Sequence, residues 1–136
     1  MVLIKYDKIK DMGKEITKFI IRRMGTMKTI VKNIRKAEVL TLKDEISYQE
    51  GQVVSKTLAQ NECVSLTLFA FEKGEEISTH ESGGDAMVTV LEGTGKFTID
   101  NVEHILHEGQ TIIMPFHVPH AVYGEERFKM LLTVIF

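Results

Sequence analysis

The chain has 136 residues, of which 43% are hydrophobic and 26% charged, with a formal net charge of −2. That length suits one domain with a core of its own. No apolar run reaches the roughly 18 residues a membrane helix needs, and the single cysteine, Cys63, excludes an internal disulfide and a cysteine-based zinc cluster.

The first segment, MVLIKYDKIKDMGK, has neither a continuous apolar stretch nor a small-residue cleavage site, so no signal peptide is expected. A cytoplasmic location follows, in keeping with cysteine usage. Cys63 itself is expected to be a small buried hydrophobe in an apolar strand. The charge is divided unevenly. Residues 1–36 carry 11 Lys/Arg against Asp7, Asp11 and Glu15, a local +8, and the remaining residues carry 6 Lys/Arg against 16 Asp/Glu, a local −10. A basic arm of this kind can meet an anionic surface or the acidic body itself. It has no helix-turn-helix pair and no interleaved aromatic residues, so neither nucleic acid nor membrane is expected as a partner.

Ile9, Met12, Ile16 and Phe19/Ile20 recur at three- and four-residue steps, with Asp7 placed to cap them. This predicts an amphipathic helix over about residues 8 to 23, ending near Gly25. Residues 1–26 read as an N-terminal extension and residues 27–136 as the main domain. From residue 37 the pattern becomes one of short strands rich in Val, Ile, Thr and Phe. They are expected at 39–42, 52–59, 64–72, 75–79, 87–93, 95–100, 102–107, 110–115, 120–124 and 128–136. Asp100-Asn101 signals a tight turn, and Glu92-Gly93 and Glu108-Gly109 signal further ones. Nine or ten short strands without intervening helices predict an all-β sandwich or barrel. The last strand is apolar on both faces, with Leu131 and Ile135 on the side opposite Met130, Leu132 and Val134. Some cover is expected over that side, most simply a second subunit in a homodimer.

Two glycine-anchored segments carry the chemistry. The first is Gly74-x5-His80-x-Ser82, running on to Val90-Leu91-Glu92-Gly93. The second is Gly109-x5-Pro115-x-His117-x2-His120. The arrangement resembles the small single-domain cupins of the RmlC-like superfamily, over about residues 50 to 136. Their first motif reads G-x5-H-x-H-x3,4-E-x6-G and their second G-x5-P-x-G-x2-H-x3-N. The resemblance implies an all-β, double-stranded β-helix (jelly-roll) cupin barrel, here with a short N-terminal helical extension.

Cupins usually hold a divalent metal inside the barrel with three histidines and one glutamate. Position by position, His80 matches the first histidine and His120 the last. Ser82 stands at the second histidine, Ala86 at the glutamate, His117 at the second motif's glycine and Gly124 at its asparagine. Asp85 is one residue from the vacant carboxylate position, and Gly83-Gly84 before it leave room for a break in strand alternation. His80, His120 and Asp85 are therefore the candidate metal ligands, a set that suits iron, manganese, nickel or zinc. Ser82, Met87, Met114, Phe116, His117 and Tyr123 are the candidate pocket residues. Phe69, Phe71, Phe97 and Met130 are expected in the core or cavity wall. His104 and His107 are expected to face solvent.

Three functions stay open at this point. The first is a divalent-metal cupin with a small organic ligand. The second is a metal-free small-ligand binding or sensor module. The third resembles the metal-independent cupin epimerases, with a histidine–aspartate pair as base and a tyrosine as acid.

Overall fold

The computed structural model describes residues 13–16 and 30–136. Residues 13–16 are helical. The rest of the helix expected over 8–23, and the domain boundary at 26, lie outside the described residues.

Seven antiparallel strands form the body: β1 (Val53–Gln60), β2 (Val64–Phe71), β3 (Glu76–His80), β4 (Asp85–Ile99), β5 (Val102–His107), β6 (Thr111–Met114) and β7 (His120–Ile135). The two long strands lie side by side and run through both halves of the barrel. Around the first half of β4 and the second half of β7 the order is β1-β2-β7-β4-β6. Around their other halves it is β3-β7-β4-β5. This is the expected jelly-roll barrel.

The strand count differs from the expectation for a local reason. Residues 87–93 and 95–100 are parts of one strand, and so are 120–124 and 128–136. Gly93, with φ +76, sits at irregularities in the β4–β7 register instead of ending the strand. A glycine bulge bends a strand and raises its twist while pairing continues on both sides. Asp100-Asn101 does form the tight turn, with both residues at positive φ and Ile99 paired to Val102. Residues 39–42 are not a strand. The chain forms a short 3-10 helix at Leu42–Glu45, and Val39 is fully exposed with no sheet neighbour.

The barrel interior is packed by alternate residues of the strands. Phe71, Phe97, Phe128, Val88, Val90 and Met130 are essentially inaccessible, and the Phe71 and Phe128 rings stack at 4.6 Å. A second cluster lies outside the barrel wall. There Ile46 packs on Leu58, Leu68 and Ala70, with Ile34, Leu42, Tyr48 and Leu131 around it. Residues 34–48 thus cover the outer side of β1, β2 and part of β7. This accounts for the second apolar face of the last strand at Leu131. It leaves Ile135 and Phe136 more than half exposed.

Tyr48 secures that cover. Its hydroxyl donates to Glu92 at 2.7 Å, and the Arg127 guanidinium and the Lys129 ammonium lie 5.3 and 4.8 Å from its ring centre. Burial and the neighbouring Glu92 carboxylate push the Tyr48 phenol pKa up. Cys63 is not buried. It is an exposed free thiol in the β1–β2 turn, where Asn61 accepts hydrogen bonds from the Cys63 and Val64 amides.

Candidate functional site

His80 ends β3 and His120 begins β7, and the two are paired across the strands. The register of β3 against β7 slips between Ile77 and His80. Strict alternation would turn one of them outward. The slip lets both Ile77 and His80 face the same cavity. The turn Pro115–Val118, closed by the Val118 amide on the Pro115 carbonyl at 3.1 Å, delivers His120 to its buried position. His117 in that turn has φ +56. Positive φ favours glycine, which explains why the resembled motif carries glycine there.

The rings of His80 and His120 meet edge to face with centroids 4.4 Å apart. His80 Nδ1 is 2.8 Å from the Ser78 carbonyl and His120 Nδ1 is 3.0 Å from the Val118 carbonyl. His120 is 2% accessible, whereas His80 is exposed at the mouth. Burial lowers the His120 pKa, and the nearby His80 lowers it further, against the opposing hydrogen bond to Val118.

The cavity behind the pair measures about 150 Å³. Its polar edge is His80, His120 and Ser82. Its walls are apolar: Phe69 from β2, Ile77 from β3, Ala86 from β4, Met114 from β6, and Val122, Met130, Leu132 and Val134 from β7. A dry cavity of roughly this volume holds a benzene-sized molecule.

The expected site residues divide sharply. His80, His120, Ser82 and Met114 come together at this cavity. Asp85 does not join them. It is exposed, and its carboxylate accepts the Phe116 amide at 2.9 Å. Alternation along β4 buries Ala86 and turns Asp85 and Met87 out, so Met87 is a surface residue, not a pocket residue. Phe116 is half exposed and lines a different hollow, with Gly83, Gly84, Asp85, Ile135 and Phe136. His117 is exposed, 3.3 Å from the Glu81 carboxylate. Tyr123 alternates with the inward Val122, and its ring carries the Lys96 ammonium 4.9 Å from its centre. His107 is exposed beside Thr94, as expected, but His104 is half-buried opposite Phe97. Ile77, Val122, Leu132 and Val134 are the wall residues that the sequence reading did not single out.

The donor set decides the fit to a metal. Two histidines line the cavity, Ser82 stands where the motif has a third, and Ala86 stands at the carboxylate position. Among the described residues no group of three or more His, Cys, Asp or Glu converges to hold an ion. The residues present do not fit the three-histidine, one-glutamate centre, because none of the described lining residues supplies negative charge to a divalent ion.

A small antiparallel jelly-roll with a histidine-edged apolar interior defines a cupin barrel. The cupin domain family model matches residues 67–136, and the chain belongs to that family. It is similar to a solved conserved protein of unknown function from Streptococcus pyogenes, with 44% identity over 81% of this chain and 96% of that one and a TM-score of 0.78. A cupin superfamily protein from Desulfitobacterium hafniense is 34% identical over 79% of this chain and 98% of that one, with a TM-score of 0.75. Salicylate 1,2-dioxygenase from Pseudoaminobacter salicylatoxidans shares the fold at 17% identity and a TM-score of 0.58, over 69% of this chain and 30% of that one. A search among curated proteins gives no match.

Proposed function

We propose that the barrel interior binds a small organic molecule, with His80 and His120 as its polar end. One observation carries this reading. A cavity of about 150 Å³ with apolar walls opens beside two histidines whose rings are already fixed in position. Ligand sites of this kind are concave, mostly apolar and oriented by a few polar groups. Ligand-observed NMR with a library of small aromatic and aliphatic molecules tests it. Hits that vanish with His120→Ala support it, and a library without hits contradicts it.

A second reading adds a divalent metal at the same pair. Hydrogen bonds from each Nδ1 to a backbone carbonyl are the outer-shell support that ligating histidines normally have. On this reading Nε2 of His80 and of His120 would hold the ion, and iron, manganese, nickel or zinc would supply Lewis acidity. A bound ligand would have to provide the remaining donors, since Asp85 faces away. Metal content of the purified chain, beside His80→Ala and His120→Ala, separates the two readings. The epimerase-like alternative loses ground, because Asp85 and Tyr123 both lie outside the cavity.

We also propose a homodimer. Residues 34–48 cover only part of the outer sheet, and the bare remainder includes Met87, Ile113, Ile135 and Phe136. The basic residues 1–36 and the acidic remainder of a second copy are complementary in charge. A cytoplasmic location belongs to the same proposal, because an exposed free thiol at Cys63 persists in a reducing compartment.

A further inference from the structure

Every polar side-chain atom that edges the cavity offers a lone pair. A carbonyl oxygen only accepts hydrogen bonds. The contacts of His80 Nδ1 with the Ser78 carbonyl and of His120 Nδ1 with the Val118 carbonyl therefore place the proton on Nδ1 in both rings. Each Nε2 is left as an acceptor. The Ser82 hydroxyl donates its hydrogen to the Gly84 carbonyl at 2.6 Å, so its oxygen also has only lone pairs to give. Among the described residues no lysine or arginine lines the cavity.

A ligand that enters must complement this pattern. A carboxylate would bring lone pairs against lone pairs and lose its hydration with no cation to meet it. A hydrocarbon would leave the His120 acceptor buried and unpaired. A neutral molecule with a hydroxyl or N–H on an apolar body satisfies both ends of the cavity.

We propose that the cavity selects small, neutral hydrogen-bond donors of about the size of phenol and turns away carboxylates. This rests on the reading of the barrel interior as a small-ligand site. The test is binding of phenol, toluene and benzoate to the full chain at pH 8. It is run beside His120→Leu, His80→Leu at the exposed mouth, and the two combined. Phenol is expected to bind at least about tenfold more tightly than toluene, the effect of one hydrogen bond to a buried acceptor. Benzoate is expected not to compete with phenol. The two substitutions together should bring phenol down to the level of toluene, and each alone should weaken phenol and leave toluene unchanged. Equal binding of phenol and toluene, or competition by benzoate, overturns the donor preference and leaves the small-ligand reading standing. Failure of all three to bind overturns both.

Discussion

His80 and His120 are cross-strand partners whose rings touch edge to face at 4.4 Å, one at the barrel mouth and one buried. The pair is held by backbone carbonyls two residues before each ring, not by a carboxylate. With Nδ1 of each ring committed to a carbonyl, Nε2 is the nitrogen left to meet a ligand.

Stability should fall with acid partly through His120. Burial sets its folded pKa below the ordinary 6.5. As pH drops through 6.5 the unfolded chain takes up a proton that the folded chain refuses, so its contribution is complete above that value and lost below it. Melting temperature measured from pH 8 to pH 5 should drop less steeply in His120→Leu than in the parent. Parallel curves would show that His120 does not titrate differently on folding.

The motif positions that lack ligands should be restorable. Ser82 and Ala86 both line the cavity with the histidine pair. Ser82→His combined with Ala86→Glu should bind manganese at least about a hundredfold more tightly than the parent, given the added nitrogen and carboxylate donors. Without metal the buried glutamate should lower the melting temperature, and manganese should bring it back. Calorimetry with and without metal reads both effects. Asp85→Ala, by contrast, should leave manganese binding unchanged.

Gly93 should tolerate no side chain. Its φ is +76, and a Cβ there would overlap the Arg127 carbonyl oxygen. Gly93→Ala should cost more than about 2 kcal/mol in denaturant unfolding. Gly109→Ala has φ +82 but open space around the new methyl, so only the conformational penalty of about 1 kcal/mol should appear.

Removing the Tyr48 hydroxyl should loosen the cover over β1 and β2. Tyr48→Phe loses the 2.7 Å bond to Glu92 but keeps the ring beside Arg127 and Lys129. A loss of about 1 kcal/mol is expected, with faster amide exchange confined to residues 34–48. Uniformly faster exchange would contradict a local clasp.

The proposed dimer face makes its own prediction. Ile113→Asp places a charge on the bare outer sheet without touching the core. Light scattering should show dimer for the parent and monomer for the variant, with barrel circular dichroism unchanged. A monomeric parent contradicts the proposal.

Much of this frame is legible in the sequence. Alternating Val, Ile and Thr runs mark the strands, and the spacing of His80 and His120 from their glycines marks the pair. Strand number was misjudged at Gly93 because a bulge glycine and a turn glycine look alike in sequence; only the partner strand distinguishes them. Residues 39–42 carry a strand-like composition, yet Leu42 is needed under the second cluster while Val39 meets nothing. At the site, the error lay in allowing Asp85 and Met87 to share a side with the histidines. The period of two along β4 was visible, and with Ala86 at the motif's inward position it sends both neighbours out. The slip that brings in Ile77 beside His80 had no signal of its own, since it depends on how β3 meets β7. Met130, Leu132 and Val134 alternate along β7 and could all have been read as one wall.

Small molecules should enter the barrel beside His80 and His120. The most direct measurement is a phenol titration of the chain with methionine methyls labelled with carbon-13. Met114 and Met130 line the cavity, and Met87 lies on the outer surface. Saturable shifts of the Met114 and Met130 methyls are expected with Met87 unmoved, and they should need a higher phenol concentration in His120→Leu. Unmoved Met114 and Met130 signals, or a shift of Met87 alone, would contradict entry into the barrel.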